Sequence, residues 1–209
     1  MYKKEIQHLK KDPILKEVIK TSKKEIKPLL SLDIYYFLLD SIVSQQLSVK
    51  VADVIFNRVL DLFKDRYPKA EYLLNTDNEI LRKAGLSYRK VDYLKNVAHF
   101  SLENSLDFDY LQKMSDDEII NYLTQIKGVG KWTVQMILMF PMDRPNVFPV
   151  NDLGIQSKMM QLYNLSLAKN KSKTIAKKEL LVKLENIAHQ WQPYRTLASK
   201  YIWNYKNPK

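Results

Sequence analysis

Lys127-Gly128-Val129-Gly130-Lys131 holds two of the four glycines in a chain of 209 residues. Upstream, Ser115-Asp116-Asp117-Glu118 reads as a capping box that opens an apolar face of Ile119, Ile120, Leu123 and Ile126. Downstream, Trp132-Thr133-Val134-Gln135-Met136-Ile137-Leu138-Met139-Phe140 is apolar enough to be a largely buried helix. Glycine permits positive φ and close approach of the backbone to another group. The stretch between the two helices therefore reads as a tight hairpin whose amides reach a ligand. A helix N-terminus behind it and a lysine on either side suit a phosphate.

The whole chain agrees with an anionic partner. Lys and Arg number 34 against 23 Asp and Glu, a formal net charge of +11. Such a surplus attracts a polyanion, with an affinity that falls as salt rises, although solubility alone also accounts for it. Hydrophobic residues make up 45% of the chain, which excludes a disordered polypeptide. There is no cysteine, so disulfides, thiolate catalysis, cysteine zinc sites and iron–sulfur clusters are all excluded. His8, His99 and His189 lie far apart without ligand spacing, so no metal site is expected from side chains. No apolar run approaches the roughly 18 residues of a membrane span, and the charged N-terminal stretch has no hydrophobic segment behind it. A cytoplasmic, nucleoid-associated protein is expected.

Helical periodicity dominates the rest of the chain. Asp12-Pro13 starts a helix through Ile19, and Asp33 caps a second over Ile34 to Gln46. Ser48 caps a third that carries Val51, Val54, Ile55, Val59, Leu60 and Phe63 on one stripe. Shorter helices cover Ala70 to Leu74 and Asp77 to Ala84, with Gly85 as terminator. Tyr88 to Phe100 and Leu106 to Met114 follow, then the helix, hairpin and helix. Pro141, Pro145 and Pro149 make residues 141–150 an irregular connection. Asp152, Ser172 and Pro193 open the last three helices. The fold class is all-α, with about ten helices by periodicity.

Four blocks together resemble the helix-hairpin-helix DNA glycosylase superfamily, and within it the 3-methyladenine DNA glycosylase II group that excises alkylated bases. They are Ser41-Ile42-Val43-Ser44-Gln45-Gln46-Leu47-Ser48; Gly128-Val129-Gly130 followed by Trp132-Thr133; Asp152 after the proline-containing connection; and Trp191-Gln192-Pro193-Tyr194-Arg195 with Tyr201-Ile202-Trp203. They occur in the family's order, from about Ile34 to Tyr205. The resemblance implies a two-lobed helical bundle with an interlobe cleft. Residues 34–143 would form the lobe that holds the motif at 115–140. Residues 1–33 with 144–209 would form the lobe that carries the acid.

Excising a base passes through an oxocarbenium-like sugar, which a neighbouring carboxylate stabilises. By resemblance that catalytic carboxylate is Asp152, a residue equally suited to cap the helix that begins at Leu153. The target base must leave the duplex for an aromatic-walled pocket. Trp132 and Trp203 match the group's two pocket tryptophans, and electron-rich indoles favour cationic alkylated purines. Trp191 reads as core. Met136 stands where relatives place a tyrosine in the pocket wall. Gln46 aligns with the side chain that fills the gap left by the extruded base, or it simply reaches solvent at a helix end. Lys127, Gly128, Val129, Gly130 and Lys131 would bind the DNA backbone, with a monovalent cation at the hairpin carbonyls as a further possibility of the family.

Related bifunctional enzymes carry a lysine at position 132, so Trp132 implies a monofunctional glycosylase that uses water and leaves an abasic site. No cofactor is expected. The expected partner is double-stranded DNA containing damaged bases, bound by a monomer with no obligate protein partner. Two alternatives stay open at this point: an oxidised-base (8-oxoguanine) glycosylase, and a non-catalytic helix-hairpin-helix DNA-binding module.

Overall fold

Polar residues at helix starts determine where most elements begin. A computed structural model describes residues 2–22, 25–27, 33–168 and 172–205, and these form thirteen α-helices, one 3-10 turn at Lys64–Arg66 and no strand. In chain order α1 is Lys3–Leu9, α2 Pro13–Thr21, α3 Ile34–Ser44, α4 Val49–Leu60 and α5 Ala70–Asn75. Next come α6 Asn78–Lys83, α7 Tyr88–Glu103, α8 Phe108–Gln112, α9 Asp116–Leu123 and α10 Lys131–Met139. The last are α11 Leu153–Leu162, α12 Lys173–His189 and α13 Arg195–Asn204. Side chains of Asp12, Asp33, Asp77, Ser87, Asp107, Ser115, Asp152 and Ser172 accept from first-turn amides, satisfying donors a helix leaves open.

Some boundaries differ from those expected. Ser48 sits at the N-cap of α4 but its side chain makes no capping hydrogen bond. α3 stops at Ser44 because the next residue, Gln45, leaves the helical region with a ψ of 127°, and Gln46 follows at a left-handed φ of 60°. α13 starts at Arg195, two residues after Pro193, and α1, with Leu9 as its one fully buried residue, is too short for its period to register.

The chain divides into two compact units, Leu30–Met142 and Met1–Leu29 with Asp143–Lys209. Asp143 belongs to the second, where its carboxylate accepts Tyr2 Oη at 2.6 Å and Lys200 Nζ at 2.8 Å.

In the unit of residues 30–142, α3 buries Leu38, Leu39, Ile42 and Val43 against α4, α7 and α10. α7 contributes Val91, Leu94 and Val97, and α10 contributes Val134, Ile137, Leu138 and Met139. Each such side chain contributes about 1.5–3 kcal/mol on leaving water. On α4 the buried face is Ala52, Phe56, Val59 and Leu60, whereas Val51 and Val54 are 46% and 45% exposed. The stripe expected from the sequence thus mixed two faces. α4 carries enough apolar residues for two, and only packing chooses between them.

In the other unit a buried carboxylate ties distant segments together. Asp12 Oδ1 accepts the amides of Ile14 and Leu15. Its Oδ2 accepts Tyr163 Oη at 2.6 Å, Trp191 Nε1 at 2.9 Å and Gln190 Nε2 at 3.2 Å. Desolvation, and then the bond to Asp12, raise the Tyr163 phenol above its ordinary range. Trp191 is fully buried, as its sequence context suggests, and packs edge-on against Phe148.

The irregular connection is fastened from α13. Thr196 donates its amide to Pro145 O and accepts the Val147 amide on its hydroxyl, while Arg195 grips Asn146 through Oδ1 at 2.8 Å and O at 3.0 Å. The Asp152 amide donates to Pro149 O at 2.8 Å, so the tract delivers residue 152 to the start of α11 in a defined place.

Candidate active site

The glycine hairpin is built as its sequence suggests, but its two glycines act differently. Ser115 and Glu118 close the capping box of α9, with Glu118 accepting the Ser115 amide at 2.7 Å. That hydrogen bond lowers the Glu118 carboxyl below its ordinary value. Gly128 has a φ of 106°, and a Cβ there would lie 2.3 Å from the Tyr93 ring. Conformation and packing both demand glycine. Gly130 has an ordinary φ of −97°, and a Cβ would meet nothing within 4 Å. Nothing among the described residues requires glycine at that position.

Among the described residues, the amides of Gly128 and Gly130 donate to no backbone carbonyl, while the Val129 amide is engaged by Ile126 O at 2.9 Å. Val129 itself is buried and anchors the turn. Lys127 and Lys131 are exposed on either side. Two hairpin carbonyls accept side-chain amides: Lys127 O from Asn96 at 3.1 Å and Gly128 O from Gln45 at 3.1 Å. Each keeps a second lone pair, so a cation could still be held. No cluster of three or more His, Cys, Asp or Glu side chains able to hold a metal occurs among the described residues.

A hollow of about 710 Å³ opens beside the hairpin, lined among others by Gln46, Arg89, Lys90, Tyr93, Gly130 and Trp132. Gln46 is exposed and Trp132 is 41% exposed, so both meet this hollow or solvent. Met136, by contrast, is buried in the unit's interior and does not line the hollow. Lys90 reaches back to the end of α3, where its Nζ donates to Val43 O at 2.7 Å and Gln45 O at 2.8 Å. Desolvation, with a contribution from Arg89, lowers its ammonium below the ordinary lysine value.

The second group of site residues lies in the other unit. Asp152 caps α11 by accepting the Ile155 amide at 2.8 Å, and its Oδ1 also accepts Trp203 Nε1 at 2.9 Å. Capping and site geometry thus fall on one side chain. Trp203 is held in turn: Lys158 Nζ donates to Trp203 O and to Tyr205 O, the latter at 3.0 Å. Gly154 leaves room for this arrangement. A Cβ there would sit 3.1 Å from Asp152 Oδ1 and 3.4 Å from Trp203 Nε1. Sequence reasoning missed Lys90, Gln45, Lys158 and Gly154. Gly154 had a signal, being a glycine inside a helix start, where glycine is costly, and Gln45 stood in the Ser41–Ser48 block; Lys90 and Lys158 had none.

Residues 39–184 match the family model described as HhH-GPD superfamily base excision DNA repair protein. The chain is 34% identical over 171 residues to DNA-3-methyladenine glycosylase 1 of Schizosaccharomyces pombe, covering 81% of this chain and 71% of that protein. It is 32% identical over 203 residues to the DNA-3-methyladenine glycosylase of Saccharomyces cerevisiae, covering 89% and 68%. The solved structure of the S. pombe 3-methyladenine DNA glycosylase in complex with abasic DNA matches with a TM-score of 0.80 at 29% identity, covering 98% of this chain and all of that one.

Proposed function

This chain belongs to the HhH-GPD superfamily of base excision DNA repair proteins, and from that premise we propose that it is a monofunctional DNA glycosylase for alkylated purines. Its substrate is double-stranded DNA, and it hydrolyses the N-glycosidic bond of 3-methyladenine-type lesions to leave an abasic site. The observation that carries the reading is the Asp152 carboxylate, held by Ile155 N and Trp203 Nε1 at the start of α11. As the bond to the base breaks, positive charge develops on the sugar. A fixed carboxylate stabilises it without the reorganisation that water would need. The same group orients the attacking water.

The remaining roles follow from residue chemistry. Trp132, exposed in one unit, and Trp203, in the other, are each assigned to substrate binding, since an indole π face favours a cationic extruded purine. Gln46 occupies the place vacated in the duplex. The amides of Gly128 and Gly130, the N-terminus of α10, and Lys127 and Lys131 hold a backbone phosphate, positioning the DNA without reading its sequence. The open space at Gly130 supports this, since a phosphate needs what a side chain would fill. Val129 serves by fixing the turn, and Met136, assigned to the pocket wall by its place in the motif, is buried and would act through packing. Position 132 offers no lysine for a Schiff base, which disfavours the 8-oxoguanine alternative with its lyase chemistry. A non-catalytic module would need neither Asp152 nor its indole partner. In this reading the protein works as a monomer on chromosomal DNA in the cytoplasm.

Asp152→Asn tests the assignment, because asparagine keeps the capping oxygen and loses the charge. Release of alkylated purines falls on the order of a hundredfold or more, while affinity for duplex DNA stays within about twofold. Undiminished release by the variant overturns the catalytic role.

A further inference from the structure

We propose that Lys90 is the positioning residue for the turn that carries Gln46, and so governs extrusion of the target base rather than cleavage of its bond. The inference rests on the reading of Gln46 as the residue that fills the vacated place in the duplex. Gln46 stands at a φ of 60°, a left-handed conformation unfavourable for a residue with a side chain. Such a conformation persists only where its neighbours hold it.

The neighbour that holds it is Gln45, fixed at two points. Its carbonyl accepts Lys90 Nζ at 2.8 Å, and its side-chain amide donates to Gly128 O at 3.1 Å. Lys90 takes Val43 O as well, at 2.7 Å, so one ammonium ties the final carbonyls of α3 to the first turn of α7. An ammonium at a helix C-terminus also complements the helix dipole there. The result joins two elements proposed to touch DNA. The Gln46 turn and the phosphate hairpin share a direct hydrogen bond, and Lys90 fixes the turn from the opposite side. A lysine that served only to attract phosphate would keep its ammonium in water. Lys90 instead directs two donors to protein carbonyls, and burial lowers its affinity for the proton. Its neighbour Arg89 is exposed and suits the charge role better.

The experiment measures release of N7-methylguanine placed opposite cytosine, and of the same lesion opposite a tetrahydrofuran abasic analogue, where no base pair has to open. The readout is the ratio of the paired to the unpaired rate, which a general loss of activity or of folded protein leaves unmoved. Lys90→Met lowers that ratio about tenfold or more, Gln46→Ala lowers it similarly, and Lys90→Arg, which retains N–H donors, restores it to within about threefold of wild type. If Gln46→Ala lowers the ratio and Lys90→Met does not, the positioning role is wrong while the Gln46 reading stands. If neither lowers it, the Gln46 reading falls and takes the inference with it. Should Lys90→Met fail to fold, Gln45→Leu removes the other tether: a lowered ratio supports the inference, and an unchanged one overturns it.

Discussion

At the residue scale, the bond between Trp203 Nε1 and Asp152 Oδ1 makes a tryptophan that could have been mere packing into a determinant of where a negative charge sits. A hydrogen bond to a charged group is worth about 1.5–3 kcal/mol, so displacing the indole costs orientation of the acid even if the ring stays nearby. Gly154 makes this testable by a single methyl. Alanine is the better helix former, so Gly154→Ala in the first turn of α11 should leave thermal stability unchanged or raised. Its Cβ would nevertheless crowd Asp152 Oδ1 at 3.1 Å, the atom that accepts Trp203 Nε1. Base release then falls on the order of tenfold with no loss of melting temperature. Full activity in Gly154→Ala would show that the Asp152–Trp203 geometry is not critical. A drop in activity matched by a drop in stability would show instead that the glycine only serves the fold.

At the element scale, the sequence was most informative where one residue type has one physical use. Ser115 and Glu118 announced α9 because their three-residue spacing lets each side chain reach the other's amide, and that reciprocity occurs at helix starts. Asp12, Asp33 and Asp77 marked helix starts because a short carboxylate reaches the open first-turn donors. The glycine pair located the hairpin, although positive φ applies only at Gly128 and the case for Gly130 comes from open space. Legibility failed where a residue's partner is remote. Nothing near Lys90 in the sequence points to carbonyls at the end of α3, and α4 offers two apolar faces whose choice depends on what packs against them. The hairpin also carries its own prediction. Lys127→Ala and Lys131→Ala each weaken binding to duplex DNA irrespective of sequence, and each reduces the slope of log affinity against log salt by about one unit. An unchanged slope removes that lysine from the phosphate contact.

For the whole molecule, composition excluded more than it identified. The absence of cysteine and the surplus of basic residues narrowed the chemistry to cysteine-free work on a polyanion, and only the ordered blocks of motifs led further. The all-helical fold was legible from periodicity, while the short α1 was not. What joins the N-terminal helices to the end of the chain, the Asp12 carboxylate beneath Tyr163 and Trp191, depends on contacts across most of the sequence. No local pattern could have revealed it. None of the described helices is long and apolar enough to cross a membrane. The central claim is that this molecule removes an alkylated purine with water as nucleophile. The most direct measurement incubates it with methylated duplex DNA, with and without borohydride, and analyses both the released base and the strand. The account predicts a free alkylated purine, an unbroken strand bearing an abasic site, and no protein–DNA adduct. Absence of any released purine, or a borohydride-trapped covalent complex, would contradict it.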